Sequence, residues 1–138
     1  MKLRSMAALC GLSLAMLLFS GCGKGKIPGR PELFKVFGKV TFNEMPVEGA
    51  TVVFVPQAHS HAATGVTDAK GNFQLQTYAP EDGAAPGAYR VIVKKCFFDD
   101  KEIERQLLPP PYATPDESGL TADVEAGLNN NFCFDLRE

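Results

Sequence analysis

Two histidines separated by one residue are the side chains of this sequence best suited to metal chemistry. His59 and His61 flank Ser60, and in an extended segment residues two apart point to the same face. Both imidazoles are then placed to bind one ion. A zinc site needs three or four protein ligands, and no third ligand is adjacent in the sequence. We therefore expect an exposed polar loop here, with no metal site and no cofactor.

A run of carboxylates between Asp99 and Glu104 is the second candidate for chemistry. Paired carboxylates carry out glycoside hydrolysis when a pocket holds them at a fixed separation. A charged run in a loop is usually a solvated surface, and no pocket is indicated by the neighbouring residues. Ser118 lies in no nucleophile elbow, and there is no glycine-rich phosphate loop before a helix. The sequence therefore predicts no catalytic residues and a protein that is not an enzyme.

The N-terminus reads as an export signal. Lys2 and Arg4 precede an uncharged run from Met6 to Phe19, which is followed by small residues. A basic start, an apolar middle and a small-residue exit are typical of a secretory signal peptide. The apolar run is shorter than the roughly twenty residues that a spanning helix needs. We expect residues 1–21 to be a signal peptide that is removed.

The end of this signal carries a cysteine in a recognisable setting. Leu18-Phe19-Ser20-Gly21-Cys22 resembles the bacterial lipobox, although Phe19 stands where that pattern favours leucine. The resemblance implies that Cys22 receives a lipid such as palmitate and becomes the first residue. Residues 22–32, rich in Gly, Lys and Pro, are then a flexible tether. The predicted location is the bacterial cell envelope, as an exported lipoprotein held to the membrane by its N-terminal lipid. The alternative is an ordinary signal peptide with Cys22 as a free or disulfide-bonded thiol.

Composition limits the partners. The chain has 14 basic and 16 acidic residues in 138, and removing residues 1–21 takes away only Lys2 and Arg4. The net charge is then near −4, without a basic patch, so we expect no nucleic-acid partner.

Two cysteines, Cys96 and Cys133, remain beyond Cys22. Alternation places both on the outward faces of strands that we expect to be neighbours. Export permits a disulfide between them, and two separate thiols are the alternative.

The rest of the sequence predicts one all-β domain over residues 33–138. Short runs rich in Val, Phe and Tyr alternate with turns, which favours an antiparallel β-sandwich of about seven strands. The predicted strands lie at 33–42, 50–56, 73–75, 88–96, 120–124 and 131–136, with one or two helical turns at Asp99–Leu107. Residues 57–64 are expected to be a loop or a weak edge strand.

A proline-rich segment before the last two strands is the part most open to a binding role. Pro109, Pro110, Pro111 and Tyr112 predict a stiff, extended stretch with an aromatic side chain. The alternative, which we favour, is that Tyr112 packs on the sandwich and the prolines brace the crossing to the last strands.

Five segments in order resemble a known family. Residues 36–41, 46–54, 67–73, 86–93 and 111–121 resemble the carboxypeptidase regulatory-like (prealbumin- or transthyretin-like) domain of small planctomycete lipoproteins. The resemblance implies an immunoglobulin-like sandwich that is exported and generally has no assigned catalysis. We therefore expect a non-catalytic, lipid-anchored module that binds an envelope protein or glycan, or has a structural role.

Two other functions stay open. Transthyretin-like sandwiches include hydroxyisourate hydrolase, but this chain ends Asp135-Leu-Arg-Glu and lacks that family's C-terminal Tyr-Arg-Gly-Ser. A carbohydrate-binding module is the other alternative. It should show a row of exposed aromatic side chains, for which the candidates are Tyr78, Phe97, Phe98 and Tyr112.

Overall fold

Ten β-strands and one 3₁₀ helix organise the part of the chain that the structure, a computed structural model, describes: residues 27–58 and 61–138. The predicted signal peptide, Cys22 and His59 lie outside these ranges. Within them no helix has the length and apolar character that crossing a bilayer requires. The strands are β1 Val36–Phe42, β2 Met45–Pro46, β3 Thr51–Pro56, β4 Ala63–Val66, β5 Asn72–Gln74, β6 Gly87–Lys94, β7 Cys96–Phe98, β8 Glu104–Gln106, β9 Leu120–Val124 and β10 Asn130–Leu136, with the 3₁₀ helix at Pro110–Ala113.

The strands form two four-stranded sheets and a separate ribbon. One sheet has the order β10-β1-β2, with β5 also paired to β1, and the other has the order β4-β3-β6-β9. Within residues 27–58 and 61–138, β7 and β8 pair only with each other. The predicted all-β sandwich is confirmed. The strands expected from alternation correspond to β1, β3, β5, β6, β9 and β10. β4 overlaps residues 57–64, for which the sequence left a loop or a weak edge strand open, and sequence reasoning missed β2, β7 and β8.

The two sheets enclose an aromatic core around Phe54. Its ring centroid lies 5.6 Å from those of Tyr89 and Phe132, 6.1 Å from Phe134 and 6.3 Å from Phe73. Burying each such side chain contributes about 1.5–3 kcal/mol. All members of the core lie between residues 36 and 136, so this part of the chain carries a complete core and is expected to fold by itself.

The first and last strands pair in parallel, which an antiparallel sandwich does not predict. β1 and β10 run side by side from Val36 opposite Asn130 to Phe42 opposite Leu136. β1 and β10 are not joined by a short hairpin. The connection between them therefore does not force the two strands to be antiparallel. Either direction keeps the apolar positions of both strands facing the core, because side chains alternate along each strand.

The helical turns predicted for Asp99–Leu107 are absent, and a β-hairpin takes their place. Phe97 lies opposite Arg105 in the β7–β8 ribbon. The Asp99 carboxylate accepts N–H bonds from Lys101 and Ile103, at 2.9 and 3.0 Å. Acidic residues favour a helix start, but an aspartate side chain also closes tight turns on its own backbone. Here the turn wins.

The segment before β1 is bound to the domain. Phe34 and Ala84 exchange two backbone hydrogen bonds, of 2.9 and 3.0 Å. The Lys35 ammonium donates to the carbonyl oxygen of Glu81, and the Arg30 guanidinium lies 4.2 Å from the centre of the Tyr78 ring. Residues 30–35, part of which was predicted as tether, therefore follow the surface of the 76–84 loop.

Candidate functional site

Of the two histidines, only His61 lies in the described part of the chain. His61 is exposed, and its ring meets the Tyr78 ring edge-on at 5.3 Å. No group of three His, Cys, Asp or Glu side chains suited to holding an ion occurs within the described ranges. Ser118 is buried and donates its hydroxyl to the carbonyl oxygen of Val91 at 2.7 Å. The Ser118 hydroxyl ties the segment before β9 to β6.

The proline-rich segment braces the sandwich. Pro109 is extended, but Pro110–Ala113 form a 3₁₀ helix, so the predicted extended stretch is wrong over Pro110, Pro111 and Tyr112. Proline at the first helical positions presets the backbone angle that a helix needs. Tyr112 is half-buried against the core. Its hydroxyl donates to the carbonyl oxygen of Arg137 and accepts the Arg137 N–H, both at 3.0 Å.

The disulfide expected between Cys96 and Cys133 is not formed, and both are exposed free thiols. Cys133 lies on β10 opposite Lys39 of β1, whereas Cys96 lies on β7 opposite Gln106 of β8. The two strands belong to different sheets. Alternation correctly predicted the outward side of each strand but carries no information on which strands are neighbours.

The neighbours of the Cys96 thiol disfavour its thiolate form. Hydrogen bonding with the Glu104 carboxylate raises the pKa of Cys96, since it opposes formation of the thiolate. The sulfur also lies 3.3 Å from Oε1 of Gln106. Thiolates, not thiols, act as nucleophiles and metal ligands, so this setting does not activate Cys96.

The β7–β8 ribbon exposes large apolar side chains. The exposed fractions are 44% for Phe97, 72% for Phe98 and 47% for Ile103. Phe97 and Phe98 are consecutive strand residues and therefore point to opposite faces of the ribbon. Of the other aromatic candidates, Tyr78 and Tyr112 are half-buried. The four do not form the row that a carbohydrate-binding platform would present.

A fixed turn supports these exposed side chains. Beyond its two backbone bonds, Asp99 accepts an ion-pair hydrogen bond of 3.0 Å from Nε of Arg105. The N–H of Ile103, then those of Lys101 and Arg105, lower the pKa of Asp99. The ribbon tip is therefore tied to its own second strand at neutral pH.

A groove of about 390 Å³ lies at the base of the ribbon. One wall comes from the turn between β1 and β2 and the other from the residues that flank the ribbon. Its floor is Val47 and Leu108, which are 6% and 4% exposed, and its rim includes Met45 and Leu107, which are 70% and 51% exposed. The full lining is Phe42, Asn43, Met45, Pro46, Val47, Lys95, Leu107 and Leu108. Sequence reasoning missed this groove. Met45 and Leu107 are bulky apolar residues outside the alternating runs, and that was the available signal.

Comparison with known proteins gives no family. No protein-family model matches the chain, and no curated protein matches it. Among solved structures, a 9R-lipoxygenase from Cyanothece PCC8801 is similar at 20% identity and a TM-score of 0.37. The likeness covers 80% of this chain and 17% of the lipoxygenase. At that score it carries no argument about fold or activity.

Proposed function

We propose that this protein is a non-catalytic, lipid-anchored β-sandwich of the cell envelope that binds a partner protein through its β7–β8 ribbon. The observation that carries the proposal is the exposure of Phe98, 72%, on a ribbon that pairs with no other strand in the described part of the chain. Exposed apolar clusters on a soluble surface mark interaction sites. Aromatic side chains are also enriched at the centres of protein interfaces.

The ribbon is suited to a protein partner. Its tip is preorganised by Asp99, so binding does not have to order a flexible loop. Phe97 and Phe98 project from opposite faces, which fits a cleft that encloses the ribbon better than a flat sugar ring. Glycan binding, the other form of this proposal, has weaker support for that reason.

The anchoring part of the proposal comes from the sequence. The signal pattern and the lipobox resemblance at Cys22 support an N-terminal lipid, and the carboxypeptidase regulatory-like resemblance supports an exported module. Arg30 lies against Tyr78, so the chain is already held to the domain at Arg30. Lys95 and Leu107, which flank the ribbon, line one groove with Phe42 at the C-terminal end of β1, and β1 is roughly 20 Å long. An anchored domain would thus present the ribbon away from the membrane.

The ribbon is tested by comparing two exposed apolar residues. Envelope proteins are cross-linked to the wild-type protein, to Phe98→Ser and to Val66→Ser, in which the altered side chain is 63% exposed on β4. We expect one cross-linked partner that Phe98→Ser loses and Val66→Ser retains. Equal retention in both variants would refute binding through the ribbon.

The anchor is tested separately. We expect Cys22→Ser to abolish incorporation of labelled palmitate and to prevent membrane attachment through lipid. Unchanged labelling in this variant would exclude Cys22 as the lipid site, whatever the result for the ribbon.

A further inference from the structure

The groove at the base of the ribbon combines an apolar lining with one positive charge. Six of its eight lining residues are apolar, and Asn43 is the uncharged polar member. Lys95 is the one charged residue in the lining. Glu44, in the adjoining turn, is not part of it. Within the described ranges, the Lys95 ammonium takes part in no ion pair.

We propose that this groove binds the acyl chain of a single-chain carboxylate amphiphile, with the carboxylate at Lys95. An apolar chain gains about 0.8 kcal/mol for each CH₂ that it buries, and Val47 and Leu108 provide a closed floor for it. An anionic head group would supply the ion partner that Lys95 lacks. A volume near 390 Å³ lies within the usual range of small-molecule sites.

The backbone around the groove favours such a ligand over a peptide. Bound peptides usually take hydrogen bonds from main-chain groups of the receptor. Here the N–H groups of Asn43, Val47 and Leu107 already donate to backbone carbonyl oxygens at 2.7–3.1 Å. The Lys95 N–H donates to Oε1 of Gln106 at 3.0 Å. Pro46, on the edge strand β2, has no N–H to offer. An acyl chain needs none of these donors.

The protein contains a built-in reporter for the test. Met45, on the rim, is the only methionine after residue 21, since the other three of the four are Met1, Met6 and Met16. A chain of residues 22–138 with Cys22→Ser, labelled with ¹³C at the methionine methyl, therefore gives one signal that reports on the groove. This chain contains the complete core.

The titration uses decanoate, octanoate and decylammonium as probes. We expect decanoate to shift the Met45 signal saturably, and octanoate to bind about three- to fifteenfold more weakly because it has two CH₂ groups fewer. Decylammonium should bind more weakly than decanoate, since its charge matches that of Lys95. Equal affinity for decanoate and decylammonium, or no saturable shift, would overturn the proposal.

Variants locate the site. Lys95→Gln should weaken decanoate binding about two- to fivefold, and Leu107→Ser about fivefold. Ile103→Ser is the matched control, because Ile103 is exposed to a similar extent as Leu107, 47% against 51%, but does not line the groove. It should bind decanoate as the parent does. An equal loss in Ile103→Ser would contradict the assignment.

Two further results would show that the groove binds something other than an acyl chain. A Met45 signal that changes with protein concentration, in the absence of probe, would show that a second copy fills the groove. N-acetyl-dileucine binding as tightly as decanoate would show a peptide site. Either result refutes the acyl site and leaves the ribbon and the lipid anchor to their own tests.

Discussion

Gly83 is the position at which one added methyl group should most disturb the attachment of the N-terminal segment. Its φ is +96°, and a Cβ built there would lie 1.9 Å from the carbonyl oxygen of Phe34 and 2.5 Å from its carbonyl carbon. That oxygen accepts the Ala84 N–H at 3.0 Å, and the Phe34 N–H donates to Ala84 at 2.9 Å. Neither backbone can move aside without breaking this pair of bonds.

The expected loss has two parts. A left-handed backbone costs an alanine about 1–2 kcal/mol, and forcing a methyl group into filled space costs about 1–3 kcal/mol. Gly83→Ala should therefore lower the free energy of unfolding by about 2–5 kcal/mol. Gly127→Ala is the matched control, since Gly127 has φ +78° but an added Cβ there meets nothing within 4 Å. It should lose only about 1–2 kcal/mol.

The assay is urea unfolding of residues 22–138 with Cys22→Ser, followed by far-ultraviolet circular dichroism, with the slope of the transition used to check two-state behaviour. Trypsin cleavage after Lys35 provides a local readout and should accelerate in Gly83→Ala alone. Equal losses of stability in the two glycine variants would refute the argument from the Phe34 contact. Unchanged cleavage at Lys35 would show that residues 30–35 stay attached.

Three other predictions concern the core and the ionisable groups. Phe54→Ala should lower the free energy of unfolding by about 3–5 kcal/mol, whereas Phe98→Ala, the same change at an exposed site, should stay within about 0.5 kcal/mol; equal losses would contradict the core assignment. Burial raises the pKa of Tyr89 to about 12, so its contribution to stability is full below pH 10 and is lost as the pH rises through 12. An ultraviolet titration in which Tyr89→Phe removes no high-pKa tyrosine would refute this. The lowered pKa of Asp99 means that its contribution to the hairpin is present above the ordinary pKa of 3.8 and is lost as the pH falls through the folded value. Amide chemical shifts of the ribbon in wild type and Asp99→Asn should therefore converge at low pH, and a persistent difference would show another source of the effect.

Local pattern predicted the strands that line the core. Tyr89, Val91 and Val93 share one face of β6, and all three are fully buried; Ile92, on the other face, is also buried, at 8% exposed. Such a pattern is reliable because a strand with one buried face must alternate. The alternation pattern did not predict the structure of residues 96–107, because the acidic residues there fit both a helix start and an aspartate turn. The turn depended on Arg105 meeting Asp99 across the hairpin.

The candidate sites were much less accessible to sequence reasoning. Only the ribbon geometry places the aromatic candidates Phe97 and Phe98 on opposite faces. The groove joins Met45 to Leu107, which are more than sixty residues apart in the sequence. No periodicity links two such positions.

The sequence by itself determined the all-β class and the inward positions of the main strands. These features depend on short-range order, since alternation and turn residues act over a few positions. Only the tertiary structure decided that β1 pairs in parallel with β10, that Cys96 and Cys133 lie on different sheets, and that Lys95 borders an apolar groove. Each of these depends on which strands meet, and that is set by how the two sheets fill their shared core and not by any single segment.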